Sequence, residues 1–195
     1  MRERVLLFGG TFDPVHCGHL ILAERAREEL RAERVIFIPC SLPPHKVGYT
    51  PTPAEHRLKL LRMAVGGHPS FEVSAHELRR GGVSYTHETI RHFRMNFPGT
   101  VFHFLVGLDS LLDFTTWREW RSILRMTKLV VGERIVHKER RIPREIDRSR
   151  VVFLDFPHVE ISGSDIRRRV KMGKSIRYLV PEPVRVYIIR HRLYQ

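Results

Sequence analysis

Short apolar runs alternate with segments of helical period along most of this chain. The runs are Val5–Phe8, Val35–Ile38, Phe71–Ser74, Val101–Val106, Leu129–Val131 and Val151–Phe156. Each is strand-sized and bounded by polar or turn residues. Between them the spacing of apolar positions predicts helices near His19–Leu30, Ala54–Val65, Thr86–Phe97 and Trp117–Leu124. This alternation predicts an α/β fold: a Rossmann-like, doubly wound parallel sheet with helices on both faces. Gly66-Gly67-His68-Pro69 should stop the second helix and Pro98-Gly99 the third, with Ser84 or Thr86 capping the third at its start. Ser164 is expected to cap a further helix that Gly173 ends, and Val184–Leu193 forms the last helix after Pro181. Residues 162–195 then make a small helical C-terminal subregion of one domain spanning 1–195. Two stretches fit no element. Ser41–Pro53 is rich in proline and Arg134–Arg150 is densely basic, and both are long enough to cover a site.

Composition narrows the class. The chain has 195 residues, 42% hydrophobic and 28% charged, which suits one soluble globular domain. No apolar run is long enough to cross a bilayer, and the N-terminus lacks a secretory pattern, so a cytoplasmic protein without a membrane partner is expected. Its two cysteines, Cys17 and Cys40, form no C-x-x-C pair. Cys17 reads as a bystander whose place at a helix start would favour the thiolate. The remaining histidines show no ligand spacing, so no protein-held metal is expected. His103, inside an apolar run, reads as a satisfied core histidine. The net charge of +13 attracts both polyanions and small phosphorylated substrates. Its arginines are scattered, so most belong to solvated surface and nucleic acid is not the expected partner. Self-association is left open.

The candidate chemistry begins at Gly9-Gly10-Thr11-Phe12-Asp13-Pro14-Val15-His16-Cys17-Gly18-His19. The string follows a strand and opens a helix. A helix start exposes unpaired N–H groups and the positive end of the dipole. His16 and His19, three apart, share one face of the first turn, where a phosphate could meet amides and imidazoles together. Ser162-Gly163-Ser164-Asp165-Ile166-Arg167 offers a second helix start with an arginine in its first turn. That cation sits where the backbone is already positive, which a bound polyphosphate would explain; pairing with Asp165 or Glu160 is the bland alternative. Pro43-Pro44-His45-Lys46 places a lysine after the second strand. Gly82-Val83-Ser84-Tyr85-Thr86 supplies amides suited to a carboxylate. Gly107-Leu108-Asp109-Ser110 follows the central strand. Trp117 and Trp120 fall three apart on the expected fourth helix, with Trp120 assigned to the core and Trp117 to stacking on a flat heteroaromatic ring.

The first string resembles the T/H-x-G-H signature of the nucleotidylyltransferase superfamily. All the pieces in this order, with Ile176-Arg177-Tyr178-Leu179-Val180-Pro181, resemble bacterial nicotinate-mononucleotide adenylyltransferases over nearly the whole chain. The resemblance implies AMP transfer from ATP to nicotinate mononucleotide, giving deamido-NAD and pyrophosphate, with Mg2+ carried by the ATP phosphates. It implies catalytic roles for His16, His19 and Arg167. ATP would be held by Gly10, Thr11, Phe12, His16, His19, Gly107, Asp109, Ser162, Ser164 and Arg167. Lys46, Tyr85, Thr86, Trp117 and Arg134 would face the acceptor. His19, if protonated, would bond the α-phosphate. Two departures stand out. Ser162-Gly163-Ser164 replaces the frequent Ser-Ser-Thr, and Glu133-Arg134-Ile135-Val136 lacks a frequent Arg-Pro-Gly turn. The alternatives are a related adenylyltransferase using phosphopantetheine or nicotinamide mononucleotide, and a nucleotide- or nucleic-acid-binding module without catalysis.

Overall fold

The computed structural model describes residues 2–44, 49–134, 142–156 and 159–195, with backbone alone for residues 133, 134 and 156. Six strands form one sheet: β1 (Arg4–Gly10), β2 (Arg34–Pro39), β3 (Phe71–Val73), β4 (Val101–Gly107), β5 (Lys128–Arg134) and β6 (Val151–Phe156). Every ladder is parallel and the strand order is β3-β2-β1-β4-β5-β6. Helices follow in chain order: α1 (Cys17–Leu30), α2 (Ala54–Val65), α3 (His76–Arg80), α4 (Thr86–Asn96), α5 (Leu108–Leu112), α6 (Trp120–Met126), α7 (Gly163–Lys171) and α8 (Glu182–Arg190). None of the described helices is long and apolar enough to cross a membrane.

The sheet separates two cores, as the apolar runs require. Along β1, Leu6 and Phe8 enter one core while Val5 and Leu7 enter the other. β2 divides in the same way, with Val35 and Phe37 against Ile36 and Ile38. A strand buried on both faces has no polar side, so it reads as a continuous apolar run. The first core receives α1, α2, α7 and α8 through Ala23, Leu60, Ile166 and Ile188. The second receives α4, α5 and α6 through Ile90, Leu111 and Ile123. The C-terminal helices therefore share the sheet's own core. The chain reverses its winding direction between β1 and β4, which opens a crevice beyond their carboxyl ends.

Several boundaries differ from the sequence reading. β5 runs three residues further, to Arg134, because the β6 ladder pairs Gly132, Glu133 and Arg134 with Leu154, Asp155 and Phe156. The helix expected from Trp117 starts at Trp120; Trp117 instead follows a 3-10 turn over Phe114–Thr116. The cap of α7 is Ser162, whose hydroxyl accepts the Asp165 N–H, and not Ser164. Neither Ser84 nor Thr86 caps α4; Tyr85 holds that position without a side-chain bond. Ser84 Oγ accepts the Ser41 N–H at 2.9 Å instead. The last helix ends at Arg190, not Leu193. His103 is not a satisfied core histidine, since its buried Nδ1 has no hydrogen-bond partner among the described residues.

One buried cation ties the carboxyl end of the sheet together. Arg57, on α2, is 1% exposed. Its guanidinium donates to the carbonyls of Thr11 (2.8 Å), Cys40 (2.7 Å), Ser41 (3.3 Å) and Thr52 (2.8 Å). These bonds join the turn after β1, the turn after β2 and the approach to α2. Arg57→Met removes the donors and leaves carbonyls buried without partners, each costing ~1–3 kcal/mol. Urea unfolding should show a loss of about 3 kcal/mol or more, with Arg57→Lys recovering less than half. A loss below about 1 kcal/mol would show that the carbonyls find other donors.

Candidate active site

The crevice above β1 and β4 has a volume of about 620 Å3 and is walled by two helix starts. Thr11, Phe12, His16 and His19 come from the first motif, Gly107 and Asp109 from the end of β4, and Ser162, Ser164 and Arg167 from α7. Nine of the ten positions expected to hold ATP are thus brought together. Gly10 is the exception. It lies behind the Phe12 ring, and a Cβ there would come within 3.1 Å of that ring.

His16 and His19 cap α1 mutually. The His19 N–H donates to His16 Nδ1 and the His16 N–H donates to His19 Nδ1, both at 3.3 Å. Their rings stack with centroids 3.6 Å apart. A ring nitrogen that accepts cannot also carry a proton, so the neutral rings carry theirs on Nε2. Each imidazole can then act as an Nε2–H donor. A doubly protonated His19, as the sequence reading entertained, would set its Nδ1–H against the His16 N–H. Burial also pushes His16 down to about 4. Gly18 makes this packing possible, because a Cβ there would lie 3.1 Å from His16 Nδ1. Cys17, the next residue, donates its N–H to the Leu179 carbonyl at 2.9 Å. Burial raises its thiol pKa, which overturns the expectation of an activated thiolate.

The opposite wall is anchored on Asp13. Arg167 Nη1 donates to the Asp13 carbonyl at 2.6 Å. It does not pair with Asp165, which bonds Arg168 instead. Asp165 and Arg168 lie outward on the same helix. The Asp13 carboxylate is buried and accepts from the Tyr49 hydroxyl, the Thr52 N–H (3.0 Å) and the Tyr194 hydroxyl (2.8 Å). Burial alone would raise its pKa, but the donated hydrogen bonds outweigh it and hold the carboxyl below its ordinary value. Burial and the neighbouring Asp13 push the Tyr49 hydroxyl up to about 12. The Arg167 guanidinium also lies 5.2 Å from the centre of the Tyr49 ring.

Tyr85, Thr86 and Trp117, expected at the acceptor, do not line this crevice. Tyr85 and Thr86 begin α4, and no side chain caps that helix start. The Tyr85 ring carries the Arg118 guanidinium 4.7 Å from its centre. Trp117 packs edge-on to Phe104 and tilted against Phe114, with centroids 6.4 and 5.2 Å apart. The Ser84 loop is joined to the turn after β2 by the Leu42 N–H to Gly82 carbonyl (3.2 Å) and Ser84 N–H to Leu42 carbonyl (3.0 Å) bonds. This brings the Pro43-Pro44 segment beside the start of α4. Lys46 lies outside the described residues, as does the side chain of Arg134.

Sequence reasoning missed Asp13, Tyr49, Arg57, Glu77 and Tyr194. Glu77 is buried, which raises its pKa, and it accepts from the hydroxyls of Thr89 and Ser84. It thereby braces the loop that leads into α4. Asp13 stood inside the motif and was the one of these with a local signal. Among the described residues no group of three or more His, Cys, Asp or Glu could hold a metal ion.

The profile of the cytidylyltransferase-like family matches residues 7–169. A probable nicotinate-nucleotide adenylyltransferase of Symbiobacterium thermophilum is 44% identical over 98% of this chain and 95% of its own length. One from Thermus thermophilus is 43% identical over 98% of this chain and its full length. The structure of Plasmodium falciparum nicotinic acid mononucleotide adenylyltransferase complexed with NaAD shares the fold, with a TM-score of 0.78, 18% identity and coverage of 98% and 97% of the two chains.

Neutral, buried His16 makes stability depend on pH. The unfolded imidazole takes a proton near 6.5, the folded one only near 4. Between those values the unfolded state binds more protons, so this contribution is complete above pH 6.5 and is lost as pH falls to 4. Its size is up to about 3 kcal/mol. His16→Asn keeps a competent cap without a titrating ring. Unfolding between pH 7 and 4 should therefore show a smaller acid loss in the variant than in the wild type. Parallel pH curves would disprove the buried neutral imidazole.

Proposed function

The chain belongs to the nicotinate-nucleotide adenylyltransferase family of cytidylyltransferase-like proteins, and from that premise we propose that it transfers AMP from ATP to nicotinate mononucleotide, forming deamido-NAD and pyrophosphate in NAD biosynthesis. The observation that carries this reading is the meeting of two helix starts across one crevice. One bears His16 and His19; the other bears Ser162, Ser164 and Arg167. Both turn a positive dipole end and side-chain N–H donors, the imidazoles on one and the guanidinium on the other, toward the same space, which suits a polyphosphate.

The acceptor's 5′-phosphate oxygen is already anionic and needs no general base. It attacks the α-phosphorus of ATP, a new P–O bond forms, and the bond to the β-phosphate bridging oxygen breaks. Catalysis is then alignment and stabilisation of spreading negative charge. His19 donates from Nε2 to an α-phosphate oxygen, and His16, held by burial, anchors the same group. Arg167 has one N–H engaged by the Asp13 carbonyl, and its guanidinium faces the outer phosphates beside Ser162 and Ser164. Thr11 and Phe12 line the shared part of the crevice, while Gly107 and Asp109 hold the adenosine. Mg2+ carried by the ATP phosphates would supply neutralising charge for the pyrophosphate, with Arg167 beside it as the protein's own cation.

The acceptor's nicotinate ring is assigned to the second cluster. The uncapped amides at Tyr85 and Thr86 suit a carboxylate, and Trp117 offers a face for the ring. Lys46 and Arg134 keep their proposed places on the acceptor side. The cytoplasm is the proposed location.

His19→Ala should keep the fold and lower turnover by about two orders of magnitude or more, as loss of a transition-state donor does. Turnover within about threefold of wild type would remove His19 from the mechanism. Chromatography of products from Mg-ATP with each acceptor tests the substrate. Backbone donors can serve both oxygens of a carboxylate, whereas an amide turns an NH2 group toward one of them. Nicotinate mononucleotide should be used in clear preference to nicotinamide mononucleotide; equal efficiency would refute the assigned pocket.

A further inference from the structure

The segment after α8 turns sharply inward. Arg192 and Tyr194 both adopt left-handed backbone, with φ of 48° and 67°. Such conformations are uncommon for residues other than glycine and are kept only where surrounding contacts hold them. Here the turn carries the Tyr194 ring against the first core, beside α8. Its hydroxyl reaches Asp13 Oδ1 at 2.8 Å, across 181 positions of sequence.

Asp13 is an unusual residue to find in a phosphate crevice. Its carboxylate is negative where a polyanion is to bind, so its charge must be masked and its position fixed. Hydroxyl and amide donors do both: the Tyr194 hydroxyl on one oxygen, the Tyr49 hydroxyl and Thr52 N–H on the other, and the Thr52 hydroxyl beside them. The backbone of the same residue is what the opposite wall leans on. Its carbonyl accepts Arg167 Nη1 at 2.6 Å, and a Cβ on Gly163 would stand 2.9 Å from that oxygen. A rotation of Asp13 therefore moves the support of Arg167 and the start of α7 together.

We propose that Tyr194 is a positioning residue of the transfer site, which holds the Asp13 carboxylate so that the Asp13 carbonyl presents Arg167 to the outer phosphates of ATP. This inference rests on the adenylyl-transfer reading above. Tyr194 touches no reacting atom; it acts through Asp13. A phenol fits the task because it donates without adding charge, and burial with the adjacent Asp13 carboxylate raises its pKa, so it stays protonated. The groups facing Asp13 are Tyr49 and Thr52 from the approach to α2, Arg167 from α7, and Tyr194. His16 and Arg57 flank the same turn.

Tyr194→Phe keeps the ring in the core and removes only the donor. With purified full-length protein, kcat/KM for ATP should fall about tenfold, while KM for nicotinate mononucleotide moves less than twofold. In an Asp13→Asn background the same substitution should add less than twofold. Kinetics within twofold of wild type would overturn the proposal. So would full additivity with Asp13→Asn, or equal losses for both substrates accompanied by a lower thermal midpoint, which would mark a packing role alone. A wild-type chain that transfers no AMP in this assay would overturn the functional reading and this inference together.

Discussion

The working end of this molecule depends on the Arg57 guanidinium. A parallel sheet ends in a fringe of carbonyls and loops, and the residues that do chemistry sit on those loops. Here the loops after β1 and β2 are not held to each other by a ladder beyond Gly10 and Pro39. Beside one backbone bond, from the Cys40 N–H to the Gly10 carbonyl at 2.9 Å, they are held by a cation donating to four carbonyls within a site 1% exposed to solvent. Among the described residues all its hydrogen bonds go to backbone, so no carboxylate competes for the fork. The rigid planar spread of donors is what a lysine cannot reproduce. The position of Thr11, and of the motif that follows it, is inherited from this contact.

Above that floor the crevice is built from donors more than from net charge. Among the described residues, Arg167 is the one arginine or lysine in its lining. His16 is neutral at physiological pH, and Asp13 is an anion wrapped in hydroxyl and amide donors. Two helix starts contribute the rest. Fixed dipoles of this kind need no reorganisation as charge moves during a reaction.

The strands and the doubly wound order were legible in the sequence because both faces of β1 and β2 are buried, leaving runs such as Val5–Phe8 without polar interruption. The end of β5 was not, because Gly132-Glu133-Arg134 has no apolar signal and joins the strand through its ladder pairing with β6. Short helices such as α3 and α5 leave too few turns for a period to register. In the site, the pairing of His16 with His19 could be read from their spacing. The direction of their Nδ1 atoms toward each other's backbone could not. Arg57 looks like any arginine on an amphipathic helix, and its burial is decided by carbonyls distant in the chain. Tyr194 and Asp13 meet across nearly the full length of the protein, a separation no local pattern reports.

The glycine at the middle of Ser162-Gly163-Ser164 has a consequence for how such motifs are compared. Position by position, it scores as a hydroxyl lost from a more frequent serine. Geometrically it is a spacing: α7 stands so near the Asp13 carbonyl that a Cβ would enter its contact distance at 2.9 Å. A side chain at 163 is tolerated only if the helix stands off or the Asp13 turn retreats. The two segments are therefore not independent letters in an alignment. A graft of the serine-rich version into this chain would import a length mismatch along with the hydroxyl, and the variable to transfer is the separation between two backbones.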